Sequence, residues 1–240
     1  MLQKKLILIK KIKDFYFIIK FGKGKNFIKF LLTQLQFLIK KNGKNEIYSS
    51  EVEETRFTNT WFDDNIKYLK IFLKNKNNNI KKILEIGSYE GNSTVFFLNY
   101  FNFSIIHCVD IWTDQSKNYQ NINFKSVEDR FDKNLIYFKD RIIKIKLNSK
   151  KYFQKCSDFD FDLVFIDGSH YYKHVYADAI NAFKVVKING YILFDDYLFK
   201  YRAKENAHPI YAINKFLNKY KNKIKIIAIY RQVLIQKISE

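Results

Sequence analysis

Two runs of residues concentrate the groups able to hold a cation or take a proton. The first is Asp162-Leu163-Val164-Phe165-Ile166-Asp167-Gly168-Ser169-His170, and the second carries Asp195-Asp196-Tyr197. If Asp167, Asp195 and Asp196 meet, three carboxylates repel one another unless something positive sits between them. All-oxygen ligands favour a hard cation such as Mg²⁺. The plain alternative is loop acids paired with the abundant Lys. His170, three residues past Asp167, reads as a general base beside the cation. His174, four residues on, could share a helix face with it. A zinc site wants more ligands, however, and the H-E-x-x-H pattern is absent, so His174 reads as a solvated helix residue.

A third constellation fits a nucleoside. In Ile83-Leu84-Glu85-Ile86-Gly87-Ser88-Tyr89-Glu90-Gly91-Asn92-Ser93-Thr94, a buried strand runs into two glycines four residues apart and then into a helix. Gly87 lets the backbone turn tightly against a ligand, and Ser93 or Thr94 can cap the helix that follows. Tyr89 stands where the middle glycine of G-x-G-x-x-G would fall, which counts against a hydride-transfer fingerprint. Asp110 ends the next apolar run. An acid about 20 residues past such a turn accepts hydrogen bonds from both hydroxyls of a ribose. Trp112 is placed to stack on a purine.

The elements that must position these groups alternate. Strands are expected at residues 82–86, 104–109, 141–147, 161–166 and 191–194, with helices at 94–100, 127–134 and 171–187. Residues 161–166 form a continuous apolar run of the kind buried on both faces. Pro209 opens a further helix in the first turn, where proline is well placed. Residues 223–238 read as two strands reversing near Tyr230 and Arg231. Such alternation makes a mainly parallel sheet with helices on both faces, and the closing pair gives it an antiparallel edge. Ahead of this, 57–74 reads as a helix, 75–79 as a polar linker and 26–41 as an amphipathic helix with Phe27, Ile28, Leu31, Leu35, Leu38 and Ile39 on its apolar face. That face packs on the main domain or a second subunit, or lies on a membrane surface. Residues 42–45 break the pattern.

Composition bounds the partners. The 240 residues are 47% hydrophobic, with one Pro and seven Gly, enough for one α/β domain and an extension. Cys108 and Cys156 have no paired spacing, which argues against a disulfide framework and fits a reducing, cytoplasmic setting. The net charge of +19 attracts polyanions or an anionic membrane. It is also what AT-rich codons produce, because Lys, Asn, Ile, Phe and Tyr are all abundant. Apolar bursts at 6–9 and 15–19 are interrupted by Lys, no small-residue cleavage site follows them, and no apolar run reaches the ~20 residues of a membrane span.

Taken in order, these motifs resemble the class I S-adenosylmethionine-dependent methyltransferases. They are most similar to the methyltransferase domain 24 type, which includes macrolide-sugar O-methyltransferases. The resemblance covers residues 57–237 and leaves residues 1–56 as a basic helical N-terminal extension, with 57–240 as the methyltransferase domain. It implies a Rossmann-like, doubly wound α/β fold with a seven-stranded sheet whose last strand is antiparallel. It implies that Glu85, Gly87, Ser88, Gly91 and Trp112 line the cofactor together with Asp167, that Asp110 holds its ribose and that Ser149 lies near its adenine. It further implies that Asp167, Asp195 and Asp196 bind Mg²⁺ and that His170 removes the substrate proton. Catechol-type enzymes carry Asp-Asn where this chain has Asp195-Asp196, which adds a negative charge here.

The expected activity is methyl transfer to a hydroxyl of a small molecule or sugar. An RNA methyltransferase is the rival within catalysis. The charge favours it, while the missing N/D-P-P-Y motif of amino-directed nucleic-acid methylation and the single proline, Pro209, count against it. A non-catalytic module on a membrane or in an assembly, driven by the basic N-terminal helices, is the rival outside catalysis. Peripheral membrane contact through those helices and a homo-oligomer both stay open.

Overall fold

The computed structural model describes residues 14–20, 24–41, 55–74, 76, 79–113, 122–157, 159–199 and 208–240. Seven strands are present among them: β1 Lys82–Ile86, β2 Ile105–Asp110, β3 Ile142–Lys146, β4 Phe161–Ile166, β5 Val186–Phe194, β6 Ile224–Ile229 and β7 Val233–Lys237. They form one sheet in the order β3-β2-β1-β4-β5-β7-β6. The first five are parallel, and β7 lies antiparallel between β5 and β6. The helices are α1 Gly24–Lys41, α2 Asp63–Phe72, α3 Asn92–Tyr100, α4 Phe124–Asn134, α5 Ser149–Lys155, α6 Tyr172–Val185 and α7 Pro209–Lys219. Residues 14–20 are also helical. The alternating pattern leads to this mainly parallel sheet, and the family resemblance to its Rossmann-like, seven-stranded form.

Successive side chains of a strand point to opposite faces, so each central strand feeds two cores. Leu84, Ile86, Val164, Ile166, Ile192 and Phe194 join α5, α6 and α7 on one side. Ile83, Leu163, Phe165 and Leu193 join α2, α3 and α4 on the other. All six residues of β4 are buried, including Asp162, which breaks the apolar run and accepts the Lys81 and Lys82 amides at 2.8 Å. Each large side chain buried in this way contributes about 1.5–3 kcal/mol.

Besides the helix expected at 57–74, which begins only at Asp63 and ends at Phe72, three features differ from the sequence expectation. β5 begins at Val186, five residues early, because a register shift opposite Phe161 and Leu163 lets the chain enter the sheet before Gly190. A 3-10 turn, Ile136–Arg141, and the short helix α5 interrupt segments that show no periodicity. The third concerns α1. The helix is present, but Ile28, Leu31, Leu35, Leu38 and Ile39 are exposed. Asn26, Phe30, Thr33 and Phe37 face the domain instead. Periodicity finds an apolar stripe without telling which side is covered. Here the covered side is chosen by hydrogen bonds: the Ile229 amide donates to Thr33 Oγ1 at 3.1 Å, and Asn26 Nδ2 donates to Asn214 Oδ1 at 2.7 Å. Phe17, Ile18 and Phe30 belong to the same core as β4 and β5, so the described part of the extension packs into the domain. The expectations for residues 6–9 and 42–45 lie outside the described residues. Among the described residues no helix is long and apolar enough to cross a membrane.

Candidate active site

The parallel ladder sets where the chemistry-bearing residues fall. Just beyond the strand ends, the Gly87 amide donates to the Val109 carbonyl at 2.8 Å, Asp167 to Ile86 at 2.8 Å and Asp195 to Ile166 at 2.9 Å. Gly87, Asp110, Asp167 and Asp195 therefore sit side by side at the carboxyl edge of β1, β2, β4 and β5. Ligands of such sheets bind outside this edge.

At the β1–β2 end the chain supplies its own donors. Asp110 accepts the Tyr89 amide on Oδ2 and the Trp112 amide on Oδ1, both at 2.9 Å. Burial raises its pKa, and these amide hydrogen bonds oppose the rise. Tyr89 and Trp112 take left-handed backbone at φ 48° and 44°, a conformation costing about 1–3 kcal/mol for bulky residues. Trp112 Nε1 donates to the Tyr89 carbonyl at 2.9 Å, closing a clamp around the carboxylate.

Several expected roles change here. The left-handed backbone turns the Trp112 ring inward, where it is 2% exposed against Phe131 with Lys144 Nζ 4.9 Å from its centroid. It offers no face to a purine. Glu85 is fully enclosed and accepts Ser93 Oγ and Thr94 Oγ1, both at 2.5 Å. It fixes the start of α3 rather than lining a ligand, and Ser93 and Thr94 serve it instead of capping the helix, whose N-cap is Gly91 at φ 85°. Burial, the first cause, raises the pKa of Glu85 against these hydroxyl bonds. Gly87 has φ 92°, and a Cβ there would collide with the Asp167 carbonyl oxygen. Its glycine is thus demanded by the neighbouring strand end. Ser88 is buried in the same turn. Ser149 opens α5 at the end of β3, with its hydroxyl bonded to Asp178 of α6.

The sequence reading missed Glu90. It is 2% exposed, takes the Thr58 amide and hydroxyl at 2.7 Å each, and pairs with Arg130 at 2.6 Å. Together these bonds fasten the segment before α2 across the glycine turn, where Trp61 stands 5.8 Å from the Tyr89 ring. The only signal was an acid inside the turn, which spacing alone does not distinguish from a solvated one.

At the β4–β5 end the carboxylates face each other. His170 Nε2 lies 2.6 Å from Asp196 Oδ2. One ligand atom each from Asp167, His170 and Asp196 falls within 4.8 Å of the others. Asp196 is held at φ 57°, and its amide donates to Asp195 Oδ1 at 2.8 Å. Burial, then Asp195 and Asp196, push Asp167 well above the usual carboxylate range. Burial and then Asp196 push Asp195 up to about 7. Burial pulls the His170 pKa down, but Asp196 and Asp195 outweigh it and the net shift is upward. Beneath Asp195, Gln232 is fully buried and accepts the Tyr230 hydroxyl at 2.6 Å. Among the described residues no Lys lies within ion-pair distance of Asp167, Asp195 or Asp196, so loop acids neutralised by Lys are not what these residues show. His170 precedes α6, while His174 lies in its first turn, exposed and 2.9 Å from Ser169 Oγ. The two histidines therefore do not share a helix face.

This edge, with Asp110 at one end and an acid cluster at the other, coincides with a sequence match. Residues 84–197 match the Methyltransferase domain family. That match takes in a little under half of the chain and likens it to a methyltransferase domain. The domain's architecture recurs in solved structures. A Staphylococcus aureus protein assigned as a caffeoyl-CoA O-methyltransferase is 17% identical over 87% of this chain and 100% of that one, with TM-score 0.53. A Podospora anserina methyltransferase solved with SAH is 17% identical over 86% and 95%, with TM-score 0.55. The methyltransferase MycE of the mycinamycin biosynthetic pathway, solved with Mg, SAH and mycinamycin VI, is 18% identical over 77% of this chain, with TM-score 0.54. This chain spans about half of MycE (51%). At these identities the likeness is one of fold. No curated protein matches the chain in sequence.

Proposed function

We propose that this methyltransferase domain transfers the methyl group of S-adenosylmethionine to a hydroxyl of a small molecule or sugar, with a divalent cation at the acid cluster. The observation that carries the reading is the approach of His170 to Asp196 at 2.6 Å, beside Asp167 and Asp195 and on the edge that also presents Asp110.

The donor set fits both groups. Asp110 is pre-oriented by two amides and keeps lone pairs for a vicinal diol. S-adenosylmethionine, when bound, supplies a methyl group activated by its sulfonium charge. Asp167, Asp195 and Asp196 are hard oxygen donors whose mutual repulsion a cation relieves, and they would hold Mg²⁺. When bound there, a divalent cation supplies Lewis-acid charge that makes an acceptor hydroxyl easier to ionise.

The chain's own residues do the rest. Asp110 orients the ribose, and the clamp of Tyr89 on Trp112 keeps that carboxylate in place. Glu85 anchors α3, so the glycine turn does not drift. His170 accepts the acceptor's proton on the ring nitrogen that is not hydrogen-bonded to Asp196, and Asp196, bonded to Nε2, stabilises the resulting imidazolium. Holding acceptor and donor in line accounts for most of what remains, because alignment alone removes a large entropic barrier. MycE, in complex with Mg, SAH and a mycinamycin, supports reading the acceptor as a hydroxylated metabolite.

The test is calorimetric titration of S-adenosylmethionine with and without Mg²⁺, followed by a methyl-transfer screen over hydroxylated metabolites. Saturable cofactor binding with Mg²⁺-stimulated methylation of a hydroxyl is the expected result. Transfer to RNA, with steeply salt-dependent binding, would replace this reading with the RNA one.

A further inference from the structure

The side of α1 turned away from the domain has no partner among the described residues. Ile28, Leu31, Leu32, Leu35, Leu38 and Ile39 are 39–66% exposed. At ~100° per residue they fall within an arc of about 120°. That arc is opposite the covered residues Asn26, Phe30, Thr33 and Phe37, so α1 is apolar on two sides. Phe15, Tyr16 and Ile19 of the preceding helical stretch are exposed as well, and Phe15 meets Phe27 of α1 edge-on at 5.6 Å.

The charges that α1 itself carries have one sign. α1 contains Lys25, Lys29, Lys40 and Lys41 and no Asp or Glu. On the helical wheel none of the four interrupts the exposed stripe, and Lys25 stands at its edge. Further cations stand on the elements beneath: Lys67 Nζ lies 5.6 Å from the Phe37 ring, and Lys225 of β6 is close enough to Lys29 to lower its pKa further, after burial. The neighbouring acids Asp14 and Asp64 are engaged by Arg231, at 3.1 and 3.3 Å.

We infer that the outer face of α1 docks on an anionic lipid bilayer, lying in its surface plane. A helix with apolar residues on one side and flanking Lys binds there by burying the apolar side among acyl chains while the Lys side chains reach the headgroups. Spanning is excluded for α1, which is not apolar enough to cross. A second copy of the chain fits the face less well. Each copy carries a net charge of +19, and a two-fold pairing of α1 with itself would bring Lys-rich flanks together. The docked helix is also tied to the catalytic edge. Asn26 of α1 bonds to Asn214, and Asn214 accepts the hydroxyl of Tyr197, the residue after Asp196, at 2.9 Å.

The test is co-flotation of the full chain with phosphatidylcholine vesicles, with and without phosphatidylglycerol. It is repeated with the triple variant Leu31→Ser, Leu35→Ser, Leu38→Ser, whose positions are exposed and so leave the fold intact by circular dichroism. Binding only to phosphatidylglycerol-containing vesicles, weakened at least about tenfold in the triple variant, is the expected result. Three outcomes overturn the inference: no flotation of the wild-type chain, equal flotation of the two proteins, or a dimer in sedimentation that the triple variant abolishes while vesicles are ignored. None of these readouts depends on methyl transfer.

Discussion

The two ends of the catalytic edge handle buried carboxylates in opposite ways. At the β1–β2 end, Asp110 accepts two backbone amides and Glu85 accepts two hydroxyls. Both acids are satisfied by the chain itself before any ligand arrives. At the β4–β5 end, Asp167, Asp195 and Asp196 face one another, and among the described residues the one cationic partner is His170. Burial raises pKa values at both ends; at the first, Asp110 is the smallest of the causes acting on Glu85, whereas at the second the neighbouring carboxylates come directly after burial. In the proposed function the first end, already satisfied by the chain, receives the neutral diol of the cofactor, and the second, whose carboxylates lack a counter-charge, takes a cation and the acceptor.

Removing the base separates the two ends most sharply. His170→Ala should lower turnover by about 10²–10⁴-fold while S-adenosylmethionine affinity by calorimetry stays nearly constant. Equal losses in both would mean that His170 holds the cofactor. Asp110→Ala is the reciprocal change. It deletes an acceptor of charge-assisted hydrogen bonds worth about 1.5–3 kcal/mol each, so cofactor affinity should fall by about 10²-fold, with the response to Mg²⁺ retained. An unchanged calorimetric affinity would remove Asp110 from the ribose site.

A third change probes the incomplete end. If a cation relieves the repulsion, Mg²⁺ at about 100 times its Kd should stabilise the wild-type chain by about 2.7 kcal/mol, read as a higher Tm. In Asp167→Asn the metal-free protein should melt higher than wild type, because one buried like charge is gone, and the Mg²⁺ increment should shrink. A metal-free Asp167→Asn protein that melts lower than wild type would show that the three carboxylates are not in conflict.

Legibility followed the same division. The mainly parallel sheet, the antiparallel closing pair and the meeting of Asp110, Asp167, Asp195 and Asp196 on one edge could be read from alternation and strand ends, because a parallel ladder brings the ends of its strands to one edge. Trp112 and Glu85 could not be read in this way. Their roles depend on backbone sign and on burial: φ 44° turns Trp112 into the core, and full enclosure gives Glu85 to Ser93 and Thr94. Glu90 joins Thr58 to Arg130 across sequence separations of 32 and 40 residues, contacts that no local pattern encodes. The covered side of α1 stayed open at the sequence level for a different reason. The outward stripe is the longer and more apolar one, and the polar Asn26 and Thr33 on the inward side gain their value only from partners on α7 and β6.

Asp178 offers a control for the comparison, since it has neither two amides nor a carboxylate neighbour. It is 3% exposed on α6, its pKa is raised by burial from the ordinary 3.8 to about 6, and the Ser149 hydroxyl is what opposes the rise. Below about pH 4 both folded and unfolded chains hold this proton, and the group does not affect stability. Between about pH 4 and 6 the unfolded chain releases it first, so stability falls as pH rises. Above about pH 6 the full penalty is present, at most about 3 kcal/mol for two pKa units. Asp178→Asn keeps an acceptor for Ser149 and removes the charge. It should therefore raise Tm relative to wild type at pH 8, by an amount equivalent to about 1–3 kcal/mol, and lose that advantage near pH 4. Thermal melts of both proteins across this range decide the matter. A gain that persists at pH 4 would mean that packing, and not ionisation, is what burying Asp178 costs, and the contrast drawn between the two ends of the edge would then need a different measure of what an unsatisfied carboxylate is worth in this fold.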